Sequence, residues 1–495
     1  MNYYLERSKE TQNFSYPNNF KPNVKISELL NLITNNIIEV GQIDKQNVYK
    51  IAGRVVLKRK YGKLYFYTMK KDNIKFQILC NAKEYLSDDF KAINNTIQMG
   101  DIIGAEGYIS KSNTGEPSLV PIKLLLLTPC LHPIPKSFES QNTNSNNGKI
   151  VDVDVRYRKR YLDMIINDET MNIFIKRGKI IKFVRNYLDS LGFLEVETPI
   201  LHQSYGGANA KPFVTYHNDL KQEMFMRIAP ELNLKQLAIG GMDKIYEIGK
   251  QFRNEQNDAT HLCEFLSLEL YQNYANYTDM ITLTENLMSE LVKNINGDYQ
   301  LKYNNETIDF TPPFNKIDIT QKLSEFGVNL DLLQSNNETD ITQYLQQKCV
   351  ELKVKCHPMT IPKMLDKIIG HFLEPLCKNP TFLMNHPSTM SPLSRRCDSN
   401  THIAERFELF ISGMEYANAY SELNDPKIQK SNFENQLKDK SNGDDEAQIP
   451  DLDFVTALEY GLPPCAGLGI GLERLIMLLT NCLNIKEVST FPPVR

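Results

Sequence analysis

Tyr246–Phe265 reads YEIGKQFRNEQNDATHLCEF. An apolar run meets Arg253-Asn254-Glu255, a polar loop follows, and the stretch closes on His261, Glu264 and Phe265. Alone, Arg-x-Glu fits an ordinary surface ion pair. The stretch gains meaning from a second one, Arg406–Pro426, RFELFISGMEYANAYSELNDP. There Glu408, Glu415 and Glu422 recur among apolar and aromatic positions. Strict strand alternation puts Glu415, Ala417 and Ala419 on one face and Asn418, Tyr420 and Glu422 on the other. Carboxylates on nearly apolar strands are costly unless cations meet them. A divalent metal or a cationic substrate would supply those cations, and so would a salt-bridged core. The third stretch, GLGIGLER at Gly467–Arg474, runs into the apolar pattern of Leu475–Leu479. Glycines beside a helix start let a ligand approach the backbone, and Arg474 falls in the first turn of that helix. Neither GxGxxG after a strand nor GxxxxGKS/T is present, which argues against a dinucleotide fold and a P-loop.

Upstream the texture differs. Val48–Val56, Leu64–Met69, Ile74–Leu79, Ile102–Ile109 and Leu119–Leu127 are short runs rich in β-branched and aromatic residues, broken by Gly62 and by a turn at Asn113–Gly115. About five short strands within about 85 residues predict a small barrel such as the OB-fold. Residues 137–149, SFESQNTNSNNGK, form a polar linker. Beyond it Ile180, Val184, Tyr187, Leu188 and Leu191 recur at helical spacing, with Lys179, Lys182 and Arg185 opposite and Gly192 at the end. Residues 315–380 predict a mostly helical insertion, and residues 436–449 a charged loop. The domain plan is an N-terminal helical segment (1–45), a barrel (46–136), a linker (137–150) and a mixed helix-and-strand domain (151–495).

Composition bounds the function. Of 495 residues, 41% are hydrophobic and 23% charged, which excludes wholesale disorder. Lys+Arg 56 against Asp+Glu 60 gives a net charge of -4, so any nucleic-acid contact must come from local patches such as Lys58, Arg59, Lys60 and Lys63. The nine cysteines are odd in number and lack CxxC, which argues against a disulfide framework or zinc knuckle and suits a reducing compartment. The polar start, MNYYLERSKETQNF, and the lack of an apolar run near ~20 residues predict a cytoplasmic chain without a membrane span.

Together the three stretches resemble the three motifs of the class II aminoacyl-tRNA synthetases, in the family's order. The long helix leading to GFLEVETPIL, with Pro199, is similar to motif 1. MDKIYEIGKQFRNE with THLCEF is similar to motif 2, and GLGIGLERL to motif 3. The barrel strands with AGRVV and GKLYFYTM resemble the anticodon-binding domain of subclass IIb, which comprises the lysyl, aspartyl and asparaginyl enzymes. The resemblance covers residues 20–495. It implies an α+β fold class: an N-terminal OB-fold β-barrel plus a catalytic domain built on an antiparallel sheet flanked by helices. YGGANAKPFVTYHN, MRIAPELNLKQLAIGG and MEYANAYSELNDP look like the lysyl branch. The physical reading agrees, because a lysine pocket needs carboxylates for an ammonium and an aspartate pocket needs a cation. Glu231, in APEL, stands where the aspartyl and asparaginyl enzymes look to carry Gln, and no Arg lies near Glu422 in its strand. The competing readings are an aspartyl or asparaginyl enzyme, a non-catalytic tRNA-binding paralogue, and an adenylating ligase without a tRNA substrate.

The resemblance implies a reaction and a set of roles. Lysine attacks the α-phosphorus of ATP to give lysyl-adenylate, and the lysyl group then passes to the 3′ end of tRNA-Lys. Arg253, Glu255 and Arg474 would be catalytic, Arg253 bridging the α-phosphate and the amino-acid carboxylate and Arg474 gripping the γ-phosphate. Asn254, Glu255, His261, Leu262, Leu409 and Gly471 would help hold ATP, and Phe265 would stack on adenine. Glu408 and Glu415 would hold Mg²⁺. Gly207, Glu231, Glu269, Tyr271, Asn418, Tyr420 and Glu422, with Arg253, would form the lysine pocket. Arg54, Phe66, Gln77 and Glu116 would read the anticodon, Phe66 by stacking. The implied partners are ATP, L-lysine, tRNA-Lys and a second copy of the chain, a homodimer whose interface the resemblance puts at the motif 1 helix and the strand around Pro199; the stripe Ile180–Leu191 needs a cover, which a partner surface or the chain's own core would supply. Four positions depart from the family pattern: Gln256 for the Gly of RNEG, Leu262 and Cys263 for the Asn-Pro of HNPEF, and Leu468 for an aromatic in motif 3.

Overall fold

The computed structural model describes residues 2–35, 38–135, 153–330, 338–441, 443 and 450–494. The linker expected at 137–150 and residues 442 and 444–449 of the expected loop lie outside the described residues. Residues 436–441 of that loop are instead the last turns of a helix, Pro426–Ser441. The chain divides into two compact units, Met1–Met171 and Asn172–Arg495.

The first unit holds α1 (Asn2–Glu10), α2 (Ile26–Asn35), β1 (Ile43–Tyr61), β2 (Leu64–Lys71), β3 (Ile74–Asn81), α3 (Phe90–Thr96), β4 (Ile102–Lys111), β5 (Pro117–Thr128), α4 (Val153–Arg158) and α5 (Arg160–Ile166). Its strands close into a barrel in the order β1-β2-β3-β5-β4, all antiparallel except the β3/β5 pair. Alternation turns Val55, Tyr67, Met69, Phe76 and Ile78 inward. Gly107 closes the barrel tightly, since a Cβ there would lie 2.1 Å from the Val120 carbonyl oxygen. Residues 1–45 are not a separate domain. Ile26, Leu29 and Ile33 of α2 join the barrel core, and Arg7 of α1, buried, bonds Asp101 at 2.6 Å. Residues 153–171, expected with the second domain, also fold with the barrel: Lys70 donates to the Ile165 carbonyl and Asn73 to that of Asp168.

From α6 (Asp168–Ser190) the chain runs through β6 (Leu194–Glu195), β7 (Leu201–His202), β8 (Val214–His217), β9 (Gln222–Met226), α7 (Glu231–Ile239), β10 (Lys244–Phe252), β11 (Glu264–Asn273) and α8 (Tyr277–Asn296). Next come β12 (Gln300–Tyr303), β13 (Glu306–Asp309), β14 (Asn315–Asp318), α9 (Ile319–Glu325), α10 (Glu338–Glu351), α11 (Ile361–Phe372), β15 (Thr381–Met384), β16 (Arg396–Cys397) and β17 (Asn400–Ala404). The unit ends with β18 (Arg406–Ile411), β19 (Met414–Ser421), α12 (Pro426–Ser441), α13 (Leu452–Glu459), β20 (Cys465–Gly471), α14 (Leu472–Thr480) and α15 (Ile485–Val488). Eight strands form one sheet in the order β14-β15-β18-β19-β20-β11-β10-β6. Its six central strands are antiparallel, and both edge pairs are parallel. Among the described residues of 315–380 lie the helices α9, α10 and α11, and the first strand there, β14, extends the main sheet.

The apolar stripe of α6 finds its cover within the chain. Ile180, Val184 and Leu188 are fully buried in the same core as Leu268, Leu468 and Leu475, and Tyr187 packs against it. Of the two covers open to this stripe, a partner subunit and the chain's own core, it is the core that meets it. Only Leu191, past the helix end, is exposed. Gly192, at φ +81°, turns the chain out of the helix.

Candidate active site

The central strands β11, β20 and β19 floor a cavity of about 440 Å³, walled by the 253–263 loop, α7 and the start of α14. The β10/β11 hairpin carries Arg253 just past its first strand and Phe265 on its second. One carboxylate ties the three sequence motifs together. Glu473, the first-turn acid of α14, accepts from the Leu266 backbone N–H at 2.5 Å, pairs with Arg177 of α6 at 3.1 Å and lies 3.9 Å from Lys250 of β10.

Strict alternation fails in β19. Leu409 pairs with Ala417 but Phe410 pairs with Glu415, so Tyr416 is an extra residue. A bulge of this kind shifts every later side chain by one face. Tyr416, Ala417 and Ala419 all enter the core, and Glu415 lines the cavity together with Asn418, Tyr420 and Glu422. The placement of Glu415 with Ala417 and Ala419 is thereby corrected.

All seven residues expected at the amino-acid end line the cavity: Gly207, Glu231, Glu269, Tyr271, Asn418, Tyr420 and Glu422. Gly207 has φ +85°, and a Cβ there would sit 2.9 Å from that of Glu231. Tyr420 donates to Glu231 at 2.6 Å, and Tyr271 to Glu269 at 3.3 Å. Burial, and then the charge of Glu231, push the Glu269 carboxyl up to about 8. Burial raises Glu422 far above the usual carboxylate range, although Lys235 opposes the shift. Lys235 sits fully buried between these acids and pairs with both Glu231 and Glu422. Sequence reading missed it because its cation comes from α7, not from the strand of Glu422.

At the other end, Arg253, Glu255, His261, Leu262, Phe265, Gly471 and Arg474 also line the cavity. The Arg253 guanidinium lies 5.0 Å over the Phe265 ring. Arg474 donates to the Glu415 carbonyl and meets His261 Nε2, each at 2.8 Å. Three expected ATP contacts are placed differently from the rest. Leu262, at the cavity edge, and Leu409 also pack into the apolar core. Asn254 is exposed, and its N–H is spent on the Lys211 carbonyl at 2.7 Å.

Glu408 and Glu415 differ in availability. Both oxygens of Glu408 are engaged, one by Arg406 at 2.5 Å and one by His386 at 3.2 Å. Burial opposes its ionisation, yet the Arg406 guanidinium, with the His386 ring beside it, outweighs it and holds the carboxyl at about 2. Among the described residues Glu415 has one ion-pair partner, Arg474, at 3.6 Å. Burial and the Glu408 charge push it up to about 7. An under-compensated carboxylate lining a cavity suits a hard cation brought in on phosphates. Among the described residues no cluster of three or more His, Cys, Asp or Glu forms a protein-only metal site. Arg406, which bonds Asn418 and Glu408, and Glu473 are further site residues that sequence reading missed. The R-x-E and E-R doublets were their only signals.

On the barrel, Phe66 and Gln77 face outward on adjacent strands. Gln77 bonds Ser118 at 2.8 Å, two residues beyond the exposed Glu116, which gathers three of the four expected anticodon readers. Arg54 stands apart: it pairs with Lys70, four residues along β2 from Phe66, and donates to the Gly100 carbonyl at 2.7 Å. Lys58 is withdrawn from the expected basic patch, its ammonium donating to the Asn94 and Ile97 carbonyls.

A sequence model of the class II tRNA synthetases (D, K and N) matches residues 152–495, and one of the OB-fold nucleic acid binding domain matches residues 49–127. The chain belongs to this class II family of tRNA synthetases and is an aminoacyl-tRNA ligase. It is 41% identical to the lysine–tRNA ligase cla4 of Cladosporium cladosporioides over 99% of this chain and 83% of that one. It is 41% identical to the lysine–tRNA ligase of Buchnera aphidicola over 97% of this chain and 93% of that one. A probable cytoplasmic lysine–tRNA ligase of Enterocytozoon bieneusi is 40% identical, with 100% and 97% covered. Among the described residues no helix is long and apolar enough to cross a membrane.

Proposed function

We propose that the chain is a lysine–tRNA ligase that activates lysine with ATP and charges tRNA-Lys. The observation that carries this reading is the convergence of Glu231, Glu269 and Glu422 on one end of the cavity. An aspartate or asparagine side chain placed there would meet carboxylates, and an ammonium meets opposite charge. Arg253 orients the amino-acid carboxylate against the α-phosphate, since its planar fork reaches two oxygens at once. Arg474 and His261 lie where polyphosphate charge needs partners. In-line displacement at phosphorus asks chiefly for this positioning and charge stabilisation. Mg²⁺, carried on ATP and held by Glu415 with support from Glu408, would screen the phosphates.

The acceptor RNA is bound through the barrel, with Phe66, Gln77 and Glu116 at the anticodon. The chain works as a homodimer in the cytoplasm, the compartment in the name of the Enterocytozoon relative. Exposed Leu194, Leu201, Val214, Tyr216 and Leu220 support a subunit interface after α6.

The test is ATP–pyrophosphate exchange with each of the twenty amino acids in turn. Lysine alone should support rapid exchange. Glu422→Gln should raise the lysine KM about 10- to 100-fold, the loss of one charge-assisted contact, with a much smaller change for ATP. Exchange driven by aspartate or asparagine, or equal losses for both ligands, would overturn the assignment.

A further inference from the structure

Lys235 is the odd member of an acidic pocket. Its side chain is fully buried, one helical turn from Glu231 on α7. Its ammonium donates to Glu231 Oε1 at 2.5 Å and pairs with Glu422 Oε2. The Tyr420 and Phe454 rings lie 5.5 and 5.9 Å away. A lysine buried this deeply persists only where anions compensate it. The reverse also holds, because Glu231 and Glu422 are buried carboxylates that need a cation. No hydrogen-bond donor among the described residues meets Glu422 Oε1.

Neighbouring charges are already matched. Arg227 pairs with Glu247 at 2.5 Å beside this pocket, and Arg406 pairs with Glu408. The groups facing Glu422 are Lys235 and Glu231 from α7, Glu269 and Tyr271 from β11, Tyr420 from β19 and Cys465 from β20. Three carboxylates, Glu231, Glu269 and Glu422, thus share one resident ammonium. Two positive charges are wanting. A lysine molecule brings two ammonium groups, and its carboxylate is taken by Arg253.

We propose that Lys235 is a positioning residue for the amino-acid substrate: a resident ammonium that fixes and neutralises the Glu231–Glu422 pair, so that the remaining charge of the pocket is balanced by the two ammonium groups of one lysine. This rests on the lysine–tRNA ligase reading and deepens it. A neutral residue at 235 leaves the two buried carboxylates sharing a proton. Substrate must then displace that proton as well, and its side-chain ammonium meets a pair no longer held in place. The burial-raised Glu269 and Glu422 are in keeping with an empty pocket that holds protons and releases them as lysine enters.

Lys235→Met and Lys235→Arg are compared with the native chain in lysine-dependent pyrophosphate exchange from pH 6 to 9, with melting temperatures. Lys235→Met should raise the lysine KM about 10- to 100-fold at neutral pH, leave the ATP KM and saturated rate within about threefold, and move the pH at which the lysine KM levels off upward by about one unit or more. Lys235→Arg should restore most of the affinity and the native pH profile. An unchanged lysine KM, or parallel rises for lysine and ATP with a lowered melting temperature and no pH shift, would overturn the role. Should Lys235→Met not fold, Lys235→Gln takes its place: the same rise in lysine KM and upward pH shift are expected, and a native lysine KM and pH profile overturns the role. Native chain that activates an amino acid other than lysine sinks the parent reading instead, a separate outcome.

Discussion

Gly467 passes directly under the amino-acid pocket. A methyl group there would come within 2.3 Å of Glu422 Oε1 and 2.6 Å of the Tyr271 ring. Neither neighbour can retreat, since both are buried. Gly467→Ala should cost about 1–3 kcal/mol by overpacking. It should also raise the lysine KM about tenfold with less effect on ATP, taking that energy as loss of the Glu422 contact. Thermal melting and exchange kinetics on the one variant check both effects, and an unaltered lysine KM would mean that Glu422 is not held where its contact matters. At this scale the acids were legible and their counter-ions were not. Glu422 stood out as a carboxylate among apolar strand positions, and Glu231 through the resemblance carried by APEL. Lys235 follows Glu231 by four positions, the spacing of any solvent-facing helical pair, and only tertiary packing over α7 reveals that it is buried. Glu473 was equally hidden beside the more conspicuous Arg474.

The helix α6 illustrates how far periodicity reaches. It specified the apolar stripe correctly but not what covers it, because a core and a partner subunit present the same apolar surface to a helix. With Leu188 wholly inside, Leu188→Ala should cost about 2–5 kcal/mol in chemical denaturation while leaving the oligomeric state untouched. Val214→Asp, on the exposed segment proposed as the interface, should do the opposite: light scattering at micromolar concentration would change from dimer to monomer. A monomeric native chain would refute the interface, and dissociation by Leu188→Ala would return the role to α6. Strand periodicity met a harder limit in β19. A single inserted residue, Tyr416, reverses the face of Glu415, and nothing in an alternating pattern announces where a bulge falls.

Across the whole molecule, the barrel and the sheet domain have separate cores. Chemistry on ATP and lysine should accordingly be separable from anticodon recognition. Phe66→Ala removes a platform worth about 1–3 kcal/mol per stacked base and should lower tRNA charging about 10- to 100-fold. Pyrophosphate exchange without tRNA should keep its native rate, as should thermal stability, because Phe66 is outside the barrel core. Loss of exchange and stability together would make Phe66 a packing residue. Domain boundaries were the least legible feature at this scale. Composition marks a polar stretch after the barrel, yet α5 and the first residue of α6 meet the barrel through Lys70 and Asn73, polar contacts that no composition profile registers.

The outward Phe66 ring also offers an optical handle. The chain contains no tryptophan, so at the red edge of protein absorption, where indole alone absorbs, it is dark. Phe66→Trp would place a single emitter on the barrel surface, against a background of zero. A nucleobase stacked on that indole should quench it, whereas ATP and lysine, bound in the other unit, should leave it bright. Titrating RNA into such a protein would report barrel occupancy directly and in real time, with no label and no catalytic turnover.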